Sequence, residues 1–162
     1  MGKAILIVLA VIGVLALTCV GASMIGGWWL VKNSGPPENV SITVGVPPRV
    51  VEGQTFDIVI NVTDTGGSPR TIKDIDLSET LFAGFTFENS DPRFVAFDPA
   101  FGIATITLDA AVPASGVTTA RITLRADTPG TYSGDVDVSV DSIFRIHTTP
   151  TTIVIDPAPG DG

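Results

Sequence analysis

The chain has 162 residues, 44% of them apolar, with nine basic and 17 acidic residues and a formal net charge of −8. One cysteine and one histidine exclude both a disulfide framework and a zinc site of the usual Cys/His kind. Every acidic residue follows Lys32, where nine basic residues less Lys3 and Lys32 leave seven, so this part carries −10 and repels nucleic acid and anionic lipid headgroups.

From Ala4 to Val31 the chain carries no charge. A hydrocarbon core of ~30 Å takes about 20 helical residues, so residues 1–32 are predicted to form one N-terminal transmembrane α-helix. Trp28 and Trp29 suit the headgroup level, and Lys32 follows them directly. Lys3 and the amino terminus place the N-terminal end inside, with the remainder outside the cytoplasmic membrane. A cleavable signal could use Val20-Gly21-Ala22, but the chain would then begin with apolar SMIGGWWLV, so a retained signal-anchor is preferred. Ala22 with Gly26, and Ser23 with Gly27, have the small-xxx-small spacing of a helix-packing face. Cys19 lies within the apolar segment and is read as an ordinary membrane cysteine.

Residues 33–38 read as a short linker, in which Asn33-Ser34-Gly35 is loose and Pro36-Pro37 stiff. Residues 39–156 then show short alternating runs between turn residues, the pattern of an all-β sandwich. The clearest run is Gln54 to Thr63, with Phe56, Ile58, Ile60 and Val62 on one face. Thr118–Arg125 turns Ala120, Ile122 and Leu124 inward. Tyr132–Asp141 sets Tyr132, Val136, Val138 and Val140 against Asp135, Asp137, Ser139 and Asp141. Shorter strands are predicted at Val40–Val46, Thr71–Leu77, Phe85–Phe87, Ile103–Leu108, Ile143–His147 and Thr151–Ile155. Turns fall at Pro47-Pro48, Gly66-Gly67, Asp91-Pro92, Pro113–Gly116 and Pro129-Gly130. Residues 157–162 form a flexible tail.

The run Val50-Val51-Glu52-Gly53-Gln54-Thr55-Phe56, its alternating strand and the Thr63-Asp64-Thr65-Gly66 turn resemble prokaryotic immunoglobulin-like surface domains of the CARDB type. Asp127-Thr128-Pro129-Gly130-Thr131-Tyr132 resembles the tyrosine corner of immunoglobulin folds, in which the tyrosine hydroxyl bonds nearby backbone. The pattern departs from antibody-type domains, since Gly134 stands at the second cysteine position and no core tryptophan is present. The resemblance implies an immunoglobulin-like sandwich over roughly residues 38–156 and specifies no activity.

No catalytic set, cofactor motif or metal loop is legible. His147 has no nucleophile elbow to serve, and the glycines fit turns rather than a phosphate cradle. Asp74 with Asp76, and Asp135 with Asp137, share strand faces and could offer oxygens to Ca²⁺, but without an EF-hand loop they read as solvated acidic faces. Six of the eight phenylalanines lie between residues 82 and 101. Phe85 and Phe87 alternate into a core, whereas Phe82, Phe94, Phe97 and Phe101 are the candidate partner-binding residues, because exposed apolar patches mark interaction sites.

The expectation is therefore a non-enzymatic, cofactor-free, single-pass membrane protein presenting an acidic immunoglobulin-like domain. Its partners are the lipid bilayer and a membrane or envelope protein, for adhesion, protein binding or service as an accessory subunit at the cell surface. A homo-oligomer remains open. The alternative is a pilin- or archaellin-like filament subunit, which also joins an apolar N-terminal helix to a β-sandwich.

Overall fold

Alternating side chains build a two-layer sandwich in a computed structural model of the chain, which describes residues 34–160. The expectations for Ala22, Ser23, Gly26, Gly27, Trp28, Trp29 and Lys32, and for the helix they belong to, lie outside the described residues. Among the described residues no helix is long and apolar enough to cross a membrane.

The strands are β1 (Val40–Gly45), β2 (Arg49–Val51), β3 (Thr55–Asp64), β4 (Arg70–Ser78), β5 (Phe85–Asp91), β6 (Ala96–Ala100), β7 (Ile103–Val112), β8 (Val117–Ala126), β9 (Gly130–Val140) and β10 (Ile146–Asp156). A single helical turn, α1 (Glu79–Phe82), follows β4. One sheet has the order β1-β3-β8-β5, the other β2-β10-β9-β4-β7-β6. The first sheet has the ABED order of the immunoglobulin sandwich and β10-β9-β4 its GFC order, with β2 added beside the G position and β7 and β6 beyond the C position.

The inner faces carry the residues that the alternation selects. Ile58, Ile60 and Val62 of β3 and Ile122 of β8 are fully buried, opposite Ile72, Ile75 and Leu77 of β4 and Val136, Val138 and Val140 of β9. Each such side chain contributes about 1.5–3 kcal/mol on leaving water, so this layer drives folding. Ser139, placed outward by the alternation, is also buried, because β9 is flanked by both β4 and β10.

One expectation changes. The predicted strands at 143–147 and 151–155 are one strand, β10, and Ile143 belongs to the loop before it. Pro150 does not break β10, because β2 covers only Val154–Asp156 and leaves that edge open beside the proline. Residues 96–100 form a strand despite Pro99, again because β6 is a sheet edge.

Strand direction gives the domain two ends. The chain enters at the proximal end, where Val40 pairs with Asp64, Arg70 with Val112, and Ile146 with Ser139. At the distal end Ser78 pairs with Ile103 and Phe85 with Ala126. There the Tyr132 hydroxyl donates to the Thr128 carbonyl at 3.0 Å, as in a tyrosine corner. A Cβ on Gly84 would strike the Tyr132 ring, and one on Gly134 would strike Ser78, so α1 packs on β9 only because residue 134 has no side chain.

The proximal end is built on Asp64, which is only 3% exposed. Its carboxylate accepts the backbone N–H groups of Gly66 at 3.1 Å, Ser68 at 3.0 Å and Ser115 at 2.8 Å, and Arg70 Nε at 3.4 Å. The Ser115 N–H above all, against an opposing desolvation cost, holds this carboxyl below its ordinary value of 3.8. A lowered folded pKa supplies stability above the unfolded value and loses it as pH falls through the folded one. Asp64→Asn is expected to lower Tm at neutral pH by roughly 5–10 °C. In thermal melts, the gap from the parent chain should close as pH falls from 3.8 toward the lowered value.

Candidate functional site

The phenylalanine-rich segment folds onto the distal end and its neighbouring edge. Phe87 is the hub, stacked on Phe97 with centroids 4.6 Å apart and edge-on to Phe94 at 5.0 Å. Phe82 of α1 reaches Phe97 at 6.0 Å. Phe82, Phe87, Phe94 and Phe97 are half-buried and pack against the core, while Phe85 is buried between Phe56 and Tyr132. Three of the four candidate residues, Phe82, Phe94 and Phe97, are thus brought together as a packed platform.

Phe101 stands apart. Ala100 pairs with Ile103, which leaves Phe101 and Gly102 as the two-residue tip of the β6–β7 hairpin. The ring is fully exposed, and the residue sits at φ 55°, where a bulky L side chain is strained. Gly102 follows at φ 79°, so both tip residues have the positive φ of a type I′ turn. Exposed Ile103 adjoins the tip. Glu79, Phe82, Ala83, Pro99, Gly102, Ile103 and Ala104 line a depression of about 230 Å³ behind it. This is an apolar prominence beside a shallow apolar hollow, suited to contact with another surface and carrying no convergent reactive groups.

The four candidate aspartates lie on the outer face of the larger sheet. The Asp74 carboxylate accepts the Thr107 hydroxyl at 2.7 Å, and Asp135 is exposed. Asp76 and Asp137 are direct cross-strand neighbours, and one buried oxygen of each has no hydrogen-bond partner. Sequence reading found the two pairs separately and missed that register sets them face to face. Burial above all raises the Asp76 carboxyl above its ordinary value, against an opposing hydrogen bond with Thr105, and the Asp74 and Asp137 charges add lesser raising effects. Among the described residues no three His, Cys, Asp or Glu side chains come together as a metal site. His147 is half-buried in β10 opposite Val138.

No protein-family model matches the sequence, and no curated protein matches it. Among solved structures, the chain is similar to the cupredoxin domain of amoB from Nitrosocaldus yellowstonii, at 12% identity and TM-score 0.46, over 78% of this chain and 93% of that one. It is also similar to a cohesin module of a Clostridium perfringens family 33 glycoside hydrolase, at 13% identity and TM-score 0.47, over 74% and 98% of the two chains. Similarity of this degree carries no metal, substrate or partner across to this chain.

The facing carboxylates make a stability prediction. A raised folded pKa means that stability falls as pH climbs from 3.8 through the folded value. Asp76→Asn is expected to stabilise the chain at neutral pH by about 0.5 kcal/mol, the scale of a like-charge cross-strand pair. Denaturant titrations should show that gain disappearing below pH 3.8, where both variants are neutral at this position.

Proposed function

We propose that this chain is a single-pass membrane protein that presents a non-enzymatic immunoglobulin-like domain outside the cytoplasmic membrane. Phe101 at the distal tip is its contact with a neighbouring membrane or envelope protein. The charge-free stretch from Ala4 to Val31, the Trp28-Trp29-Lys32 flank and the short linker support the anchor. The resemblance to prokaryotic surface domains of the CARDB type supports the placement outside. The observation that carries the binding role is Phe101 itself, a fully exposed ring kept where it costs stability. Such strain persists where function requires the side chain. The tip lies at the end away from the point of chain entrance, so an anchored domain holds it outward.

Two measurements test this. Asn tolerates the left-handed region and, among the described residues, Phe101 has no ring partner to lose, so Phe101→Asn is expected to raise stability by about 1 kcal/mol. A photo-crosslinking side chain at position 101, in native membranes, is expected to trap a second membrane protein that a probe at exposed Thr152 does not trap. Labelling no stronger than at Thr152 would overturn the contact. An adduct of twice the chain's own mass would instead make the partner another copy, as a filament subunit requires.

A further inference from the structure

The proximal end carries a second apolar surface. Of the exposed large apolar side chains, Val117 at 58%, Ile143 at 59% and Ile146 at 38% lie at this end. Ile143 belongs to the Ser142-Ile143-Phe144-Arg145 loop between β9 and β10, and Val117 opens β8 beside the Ser115-Gly116 turn.

The loop is pinned, so its side chains are presented in a fixed arrangement. Arg145 N–H donates to the Ser142 carbonyl at 3.0 Å, and Val140 N–H to the Arg145 carbonyl at 3.0 Å. The Asp141 carboxylate takes the Thr71 N–H at 2.9 Å and Arg70 Nη1 at 3.0 Å. Arg70 Nη2 meanwhile donates to the Glu38 carbonyl at 3.3 Å. One guanidinium therefore joins the base of the apolar loop to the point where the chain enters the domain.

Charge sharpens the picture. Among the described residues Arg49, Arg70, Lys73, Arg121 and Arg125 each pair with a carboxylate, whereas Arg93 and Arg145 make no ion pair. Of these two, Arg145 is the one at the proximal end, set in the chain between Ile143 and Ile146. Isoleucines with an arginine between them suit the bilayer interface, where apolar side chains enter the acyl boundary and a cation meets lipid phosphate. Residues 33–38 span at most ~20 Å when fully extended, so a membrane segment ending at Lys32 keeps this face near the headgroups.

We propose that the proximal face, formed by Ile143, Arg145, Ile146 and Val117, rests in the headgroup region of the bilayer. The proposal depends on the anchored reading given above and adds an orientation to it: the domain stands on this face rather than swinging on its linker.

The test uses the full chain with Cys19→Ser, an environment-sensitive fluorophore on Ile143→Cys, and vesicles of phosphatidylcholine. A second label on Val117→Cys guards against a local folding defect, and one on Thr152→Cys is the reference. An alkaline carbonate wash first reports whether the chain is retained. Retention, together with quenching by headgroup-nitroxide lipid several-fold stronger at 143 and 117 than at 152, is the expected result. Arg145→Glu should weaken that quenching. Retention with 143 and 117 as solvent-exposed as 152 would overturn the docked face and leave the anchor standing. Blue-shifted emission that lipid nitroxide does not quench would mean that protein covers the face, and would also overturn it. Release by carbonate would overturn the anchor and the docked face together.

Discussion

A buried carboxylate at the end of β3 organises the proximal half of this domain. Asp64 cannot sit uncovered in the interior, because an unpaired buried charge costs several kcal/mol. Its oxygens are satisfied by N–H groups from its own loop and from Ser115 in the turn leading into the neighbouring strand β8, and Arg70 balances the charge. Arg70 then extends the network to Asp141 and to the Glu38 carbonyl. Three loops and the incoming chain are thus fixed by one acid and one base. The shape of the proximal face, and the fixed presentation of Ile143 on it, depend on that pair.

The core was legible in the sequence because half-buried strands repeat every two residues. Phe56, Ile58, Ile60 and Val62 read correctly from their spacing alone, as did Ala120, Ile122 and Leu124. The tyrosine corner was legible for a similar reason, since its hydrogen bond closes within five residues. Pro99 and Pro150 lie within strands, and only the sheet order and register reveal that no ladder bond is lost there. Asp64 was visible only as a turn residue. Its burial comes from Ser115, 51 positions away, and no local pattern encodes that meeting.

The aromatic segment shows the same division. Composition marked Phe82, Phe94, Phe97 and Phe101 as one group, and hairpin register divides them. Pairing of Ala100 with Ile103 sends Phe97 into the platform and leaves Phe101 on the tip. The outer-face acids follow suit, since β4–β9 register alone decides that Asp76 meets Asp137. Both features run against stability, one through strain and one through the burial of a carboxylate, with like-charge repulsion added. The apolar core is large enough to tolerate them.

The proposed account is of a domain with two working ends, a proximal face set on the membrane and a distal tip held away from it. Neutron reflectometry of the full chain in a supported bilayer tests this orientation most directly. Strands of ten to eleven residues rise about 3.3 Å per residue, so an upright domain gives a protein layer ~35–40 Å thick against the headgroups. A domain lying on a sheet face gives a layer of about 25 Å, since the sheets pack ~10 Å apart with side chains on both outer faces. The account predicts the thicker layer with no water gap beneath it. The thinner layer, or a gap between headgroups and protein, would contradict it.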